Sequence, residues 1–338
     1  MKKNSTIKTL FTIAISLAVA VFFMWLAFRG LDFEKIKGYF TKANYFWVAV
    51  AAVFGLLAYW FRAVRWNLLL EPMGYRISNS NALWTISFGY LMNLTIPRSG
   101  ELARSTALYG VEKVPVDQSF GTIILERVVD LVCMLLFLGL TLWLKYDAIL
   151  AFYRFATEQN TAEPSSSVPW LWMVLGLGTI GGILFFALRK FLENLPVFKA
   201  IYKIVDGLLQ GVFSIFRLKQ PILFLCYSLA IWVCYYFAAY LICFALPETE
   251  YFSIADGFFL IVVGTLGMMV PASGGIGAFH FALKLGIGAL FLSLGKSYEE
   301  GAEVGLAYAF ISHTMQLVIM AVMGFISIPL LAKARNQK

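Results

Sequence analysis

The sequence predicts an all-α polytopic membrane protein, with about six full spans, two re-entrant helical hairpins, an inverted-repeat arrangement and both termini cytoplasmic. Three observations carry that fold class. The 338-residue chain is 60% hydrophobic and only 14% charged, whereas soluble domains run near 25% charged. Apolar runs of about 20 residues, long enough to cross a bilayer as helix, recur along it. Two further apolar regions are broken by proline and glycine at matching places. A β-barrel would instead alternate polarity over segments of about ten residues.

The first run, 9–28, follows Lys2, Lys3 and Lys8. It exceeds a signal-peptide core and no small-residue cleavage site comes after it, so it reads as a retained signal-anchor. The next span, 45–66, ends in WFRAVRW. Its Arg62 and Arg65 either snorkel to the interface or flank a cytoplasmic mouth that draws in an anionic headgroup.

The region 81–110 contains NLTIPRSGELAR. Pro97 restricts the preceding residue away from helix, and Gly100 permits a tight reversal. A new helix is expected from Ser99 or Gly100, with Ser99 as N-cap and the free amides of its first turn facing a cavity, an arrangement that favours phosphate. Arg98 and Arg104 add planar guanidinium forks matched to phosphate oxygens. Glu101 lies three residues from each and can pair with either. The plain alternative is a cytoplasmic loop.

The span 127–146 opens with Glu126, Arg127 and Asp130, spaced to share one helix face. Charges within a span usually face a partner or a pathway. After it come a polar outer loop at 147–168, a linking span at 169–188, and a stretch at 193–219 with apolar residues at helical spacing and lysines between them. That stretch reads as a cytoplasmic amphipathic linker. A span at 221–246 leads to the second broken region, 254–292, and a last span covers 302–331. The second break, PASGGIG, offers Ser273 as N-cap and the backbone amides of Gly274, Gly275 and Gly277 in place of arginines, with His280 just beyond. His280 and His313 read as buried polar residues ahead of proton carriers, and the aromatic run 232–240 as packing or an interface belt.

The two breaks share Pro-x-Ser-Gly, and their surroundings align in order. LMNLTIPRSGELA matches LGMMVPASGGIGA, and ILERVVDLVCMLLFLG matches FISHTMQLVIMAVMGF, which sets Glu126, Arg127 and Asp130 against Ser312, His313 and Gln316. This makes 45–146 a first repeat and 221–331 a second, within one membrane domain over 1–338. Three net crossings separate the repeats, which inverts them, as in many secondary transporters. Most of the 27 lysines and arginines fall in segments this topology places in the cytoplasm, as the positive-inside rule requires.

A net charge of +8 is accounted for by those loops and by anionic lipid, without nucleic acid. The four cysteines lie in apolar runs without metal-ligand spacing, and the two histidines are too separated for a zinc site. P-loop and Gly-x-Ser-x-Gly signatures are missing. No catalytic residue, metal or cofactor is expected.

RAVRW, NLTIPRSGELAR, ERVVDL and MVPASGGIGAFH, in that order, resemble the flippase-like membrane-domain family, the integral-membrane part of lysylphosphatidylglycerol synthase/flippases. The resemblance covers about residues 8–332. It implies a translocase of the bacterial cytoplasmic (inner) membrane that moves an anionic phospholipid or a polyprenyl-phosphate-linked headgroup between leaflets. Positions carried over are Arg62, Arg65, Pro97, Gly100, Glu101, Arg104, Glu126, Arg127, Asp130, Pro271, Gly274, Gly275 and Gly277. Bifunctional members carry a soluble synthase domain after the membrane part, whereas this chain stops at Lys338, so synthase activity is not expected. The lipid is the expected partner, with a second copy or a soluble lipid- or glycan-modifying enzyme beside it. Alternatives are an intramembrane transferase using Glu101 or Asp130 as base, and a membrane partner subunit.

Overall fold

The computed structural model describes residues 2–96, 98–158 and 218–337. One compact unit comprises 1–152 and 218–338; a second, Tyr153–Arg217, lies almost wholly outside the described residues, as do the expected span at 169–188 and nearly all of the linker at 193–219. Every regular element among the described residues is helical.

Helix α1 covers Lys2–Phe28 and is succeeded by the short amphipathic α2, Phe33–Lys42. Asp32 starts α2 by accepting from the Glu34 amide at 2.9 Å, and Ile36 buries itself against Ala27 and Leu306. Helix α3, Tyr45–Leu70, is started by Asn44, which accepts from the Phe46 amide. Then come α4, Asn79–Thr95, and α5, Gly100–Glu112, separated by the first break. Helix α6, Val116–Leu144, carries the ERVVD charges within its length.

Helix α7, Tyr146–Glu158, corrects the outer loop expected from 147. Thr157 and Glu158, which open the polar stretch that suggested a loop, come only at its end, whereas the preceding apolar residues recur at helical spacing and bury Ala148 in the core. Helix α8, Pro221–Tyr240, runs on as a 3-10 turn through Ala245. Helix α9, Ile254–Met269, starts at a Ser253–Asp256 capping box. The second break comes next, then α10, Ala278–Ser293, and α11, Tyr298–Asn336.

Among the described residues, four stretches are long and apolar enough to cross a membrane: Tyr45–Met73, Pro221–Ala245, Ser273–Ser293 and Tyr298–Asn336; Ile13–Phe28 and Ile254–Met269 are shorter apolar helices. The third stretch contains the second break, so its continuous helix α10 has only 16 residues.

Packing interleaves the two halves. Helix α3 runs along α8, α4 packs on α11, and α9 packs on α6. Lys145 at the end of α6 meets Asp256 in the first turn of α9 at 2.6 Å, and the Thr141 hydroxyl donates to the Phe258 carbonyl at 3.0 Å. Within each hairpin a glycine lets the arms touch. A Cβ added at Gly89 of α4 would stand 2.7 Å from the Gly100 carbonyl oxygen, and one at Gly100 would strike the Gly89 carbonyl and the Asn93 amide. In the second hairpin a Cβ at Gly267 would meet Phe279 Cα at 2.9 Å. Gly100→Ala is therefore expected to cost about 1–3 kcal/mol by overpacking, seen as a lower melting midpoint of the purified protein. Gly110→Ala on the same helix has nothing within 4 Å of its new Cβ and is expected to hold or slightly raise the midpoint, since alanine is the better helix former.

Candidate functional site

Five charged side chains from three helices meet in the interior. Arg62 and Arg65 stand one turn apart on α3, Arg104 projects from α5, and Glu126 and Asp130 stand one turn apart on α6. All five are between 0 and 9% exposed. Arg62 Nη2 donates to Asp130 Oδ2 at 2.8 Å and its Nε to the Tyr235 hydroxyl at 2.7 Å. Arg65 Nη1 donates to Asp130 Oδ1 at 3.0 Å and to the Ser228 hydroxyl at 3.1 Å, and its Nη2 lies 3.7 Å from Glu126 Oε1. Arg104 Nη1 donates to Glu126 Oε2 at 2.6 Å. Its guanidinium lies over the Trp66 ring, 3.5 Å from the centroid, and the Trp66 indole N–H donates to Thr122 at 2.8 Å.

Three guanidiniums share two carboxylates, so this lattice keeps one positive charge and more donors than acceptors. Arg62 Nη1 and Arg104 Nη2 find no hydrogen-bond partner among the described residues. Arg127 stands at the rim. Its side chain is 44% exposed and Nη1 is 3.7 Å from Asp130 Oδ2.

Beside the lattice a cavity of about 680 Å³ lies between the two breaks. Asn93, Arg98 and Glu101 line it from the first hairpin, and Met268, Met269, Pro271, Ala272, Gly274 and Gly275 from the second. Tyr59 and Arg62, Tyr90, Arg127 and Tyr235 form its polar wall, while Leu260, Met315, Ile319 and Met320 form an apolar one. The Tyr59 hydroxyl is buried without a partner among the described residues. An annex of about 20 Å³ reaches Arg104 and Gly100, room for about one water. Arg98, Arg62 and Arg127 outnumber Glu101 at the wall, so it favours an anion. Glu101 forms no ion pair or hydrogen bond with any described residue.

The residues singled out from sequence therefore divide. Arg98, Glu101, Arg127, Gly274 and Gly275 line the cavity, Arg62 belongs to both cavity and lattice, and Arg65, Arg104, Glu126 and Asp130 form the lattice behind it. Arg62 and Arg65 are not interface anchors, because α8 covers them. Glu101 pairs with neither Arg98 nor Arg104. The latter faces Glu126, and Arg98 reaches across to the Met269 carbonyl at 3.5 Å.

Ser99 occupies the N-cap position of α5, but its side chain caps no amide. Its hydroxyl donates back to the Ile96 carbonyl at 2.7 Å and the Met92 carbonyl at 3.1 Å. The Gly100 amide is taken by Asn93 Oδ1 at 2.7 Å, so one amide of the first turn of α5 is already satisfied. Ser273 bonds the Ser16 hydroxyl of α1 at 2.9 Å, and α10 begins only at Ala278, after Gly274, Gly275 and Gly277 take positive φ. Gly277 packs against the α1 backbone at Ala20. His280 is buried behind the cavity, against Phe310 and His313. Pro97 lies outside the described residues.

Sequence reading missed Tyr59, Tyr90, Tyr235 and Asn93. Tyr59 and Arg62 are one helical turn apart on α3, which was the available signal. Tyr235 sits in an aromatic run that resembles a belt.

A model of the family described as "Lysylphosphatidylglycerol synthase TM region" matches residues 13–324. The chain is also 28% identical over 115 residues to a protein described as "UPF0104 membrane protein MJ1595" from Methanocaldococcus jannaschii; the match covers 33% of this chain and 34% of that protein. The chain thus spans about a third of that relative's length. No solved structure matches it.

Proposed function

The chain belongs to the family of the lysylphosphatidylglycerol synthase transmembrane region, and on that premise we propose that it is a lipid translocase, moving the phosphate-bearing headgroup of an anionic lipid between leaflets without covalent change. The observation that carries this reading is the cavity, cationic on one wall and apolar on the other, held between two broken helices.

A charged headgroup meets a steep barrier in hydrocarbon. Arg98 and Arg127 offset it with fixed charge, and the Tyr59 hydroxyl adds a free donor. Methionines on the opposite wall adapt to varied acyl chains, because their thioethers are flexible and polarizable. The lattice of Arg62, Arg65, Arg104, Glu126 and Asp130 acts as the rigid floor that holds α3, α5 and α6 in register. Helices α5 and α10, at 13 and 16 residues, fall short of the about 20 a crossing needs, which supports the re-entrant reading. The reciprocal packing of α4 on α11 and α9 on α6 supports inverted repeats, with the first break facing the cytoplasm and the second the outside.

A second reading draws on Glu101, a carboxylate on the cavity wall with no partner among the described residues. It serves an intramembrane transferase acting on a lipid phosphate. Reconstitution separates the two. Vesicles of phosphatidylcholine and phosphatidylglycerol containing the purified protein and an acyl-labelled fluorescent phosphatidylglycerol are expected to expose inner-leaflet label to an impermeant quencher. Mass spectrometry is expected to recover the label unmodified. A modified lipid with no leaflet movement would establish the transferase.

A further inference from the structure

The second break is held by two imidazoles that the cavity does not use. His313 on α11 is 1% exposed and His280 on α10 is 3% exposed, and their ring centroids are 5.0 Å apart. His313 Nε2 lies 2.9 Å from the Gly274 carbonyl oxygen. An oxygen of that kind only accepts, so Nε2 carries the hydrogen and, in the neutral ring, Nδ1 is a bare lone pair. That Nδ1 is buried and has no partner among the described residues. His280 Nδ1 accepts from the Gly277 amide at 3.3 Å. One ring thus grips the carbonyl at the start of the glycine segment, and the other grips the amide at its end.

We propose that His313 Nδ1 is a proton-binding site that couples movement of the second break to a proton gradient. The proposal rests on the translocation reading above and supplies its energy source. A polar atom left unpaired in a protein interior costs free energy, and a vacant acceptor beside a glycine segment free to take other conformations is the group a proton would satisfy. In the conformation described, an imidazolium at this position would have no counter-charge. Among the described residues of the second break, 270–277, and of α9 near the pair there are no titratable side chains; the one acidic residue of α9, Asp256, sits at its far end, tied to Lys145. On α11, Glu303 is about three turns away and pairs with Lys35 at 3.4 Å. On α10, Lys284 donates to the Arg29 carbonyl of α1 at 2.9 Å. From α4 the titratable group is Tyr90, at the cavity wall.

The proton therefore boards when the break swings away and the ring reaches water, with Nε2 keeping its own hydrogen throughout. It leaves, to the other side, as Gly274 returns to Nε2. His280 is a positioning residue, fixing the end of the same segment.

The chain contains two histidines, so ¹⁵N-histidine labelling resolves the pair. NMR of the protein in lipid nanodiscs is expected to show His313 at neutral pH with Nε2 protonated and Nδ1 bare. The opposite tautomer, with the hydrogen on Nδ1 and Nε2 bare, overturns the proposal without reference to transport. In the vesicles described above, loaded with a pH dye, a gradient of about two pH units is expected to change label movement about fivefold or more, with protons crossing alongside. His313→Gln keeps a donor for Gly274 but binds no proton; it is expected to move label and lose both the gradient response and proton movement. His280→Asn keeps an acceptor for Gly277 and is expected to retain both. Label movement that ignores the gradient in the unaltered protein overturns proton coupling and leaves translocation standing. A gradient response that survives His313→Gln overturns the assignment of the site. No label movement under any gradient overturns the translocation reading and this proposal with it.

Discussion

Asp130→Asn is expected to destabilise the protein by about 3–5 kcal/mol, the cost of leaving a buried charge without its partner. Asp130 holds Arg62 at 2.8 Å and Arg65 at 3.0 Å, and both guanidiniums are buried. The asparagine fills the same space but withdraws the charge from both, leaving Glu126 alone among three arginines. Melting of the purified protein in detergent reads the loss. Adding Arg62→Gln is expected to restore part of it, since the second change removes one of the charges left unpaired. Arg127→Gln is the contrast. Its half-exposed side chain approaches Asp130 only to 3.7 Å, so a loss under about 1 kcal/mol is expected.

The second large effect concerns transport and leaves the fold alone. Arg98 adopts φ +60° in the first break, a left-handed conformation that costs a residue with a Cβ about 1 kcal/mol or more. Arg98→Gly removes that strain and is expected to keep or slightly raise the melting midpoint. The guanidinium carried at this position lines the cavity wall. A hydrogen bond to a charged group contributes about 1.5–3 kcal/mol. Losing the anion contacts of Arg98 and Arg127 together is therefore expected to slow headgroup movement about a hundredfold or more.

Both breaks were legible in the sequence, because proline disrupts helix on its N-terminal side and Pro-x-Ser-Gly interrupts an otherwise continuous apolar run. Helices stop at Thr95 and Met269, within two residues of each proline. The chain's path just beyond each break was less legible. Ser99 takes the N-cap position, yet its hydroxyl turns back to the Ile96 carbonyl, and Asn93, seven residues upstream, takes the Gly100 amide. That contact exists only because Gly89 lets α4 and α5 close on each other. After the second break, three positive-φ glycines delay the new helix to Ala278.

The charges on α6 were legible as a cluster, since their spacing alone puts Glu126 and Asp130 on one face. Their partners were not, because Arg62 and Arg65 lie more than 60 residues earlier at what looks like a span end. An arginine near a span end snorkels unless another helix covers it, and α8, which covers these, comes from the other half of the chain. The tyrosines of the cavity wall are dispersed over α3, α4 and α8, with no local pattern to unite them.

Passage of a lipid headgroup through the cavity between the two breaks is tested most directly by the initial rate at which fluorescent phosphatidylglycerol changes leaflets. The comparison is between vesicles containing the unaltered protein and vesicles containing the Arg98→Gly, Arg127→Gln double variant, at equal folded protein. Movement well above that of protein-free vesicles is expected for the unaltered chain. A fall of about a hundredfold is expected for the variant, at a nearly unchanged melting midpoint. Equal rates for the two proteins would contradict a route through this cavity.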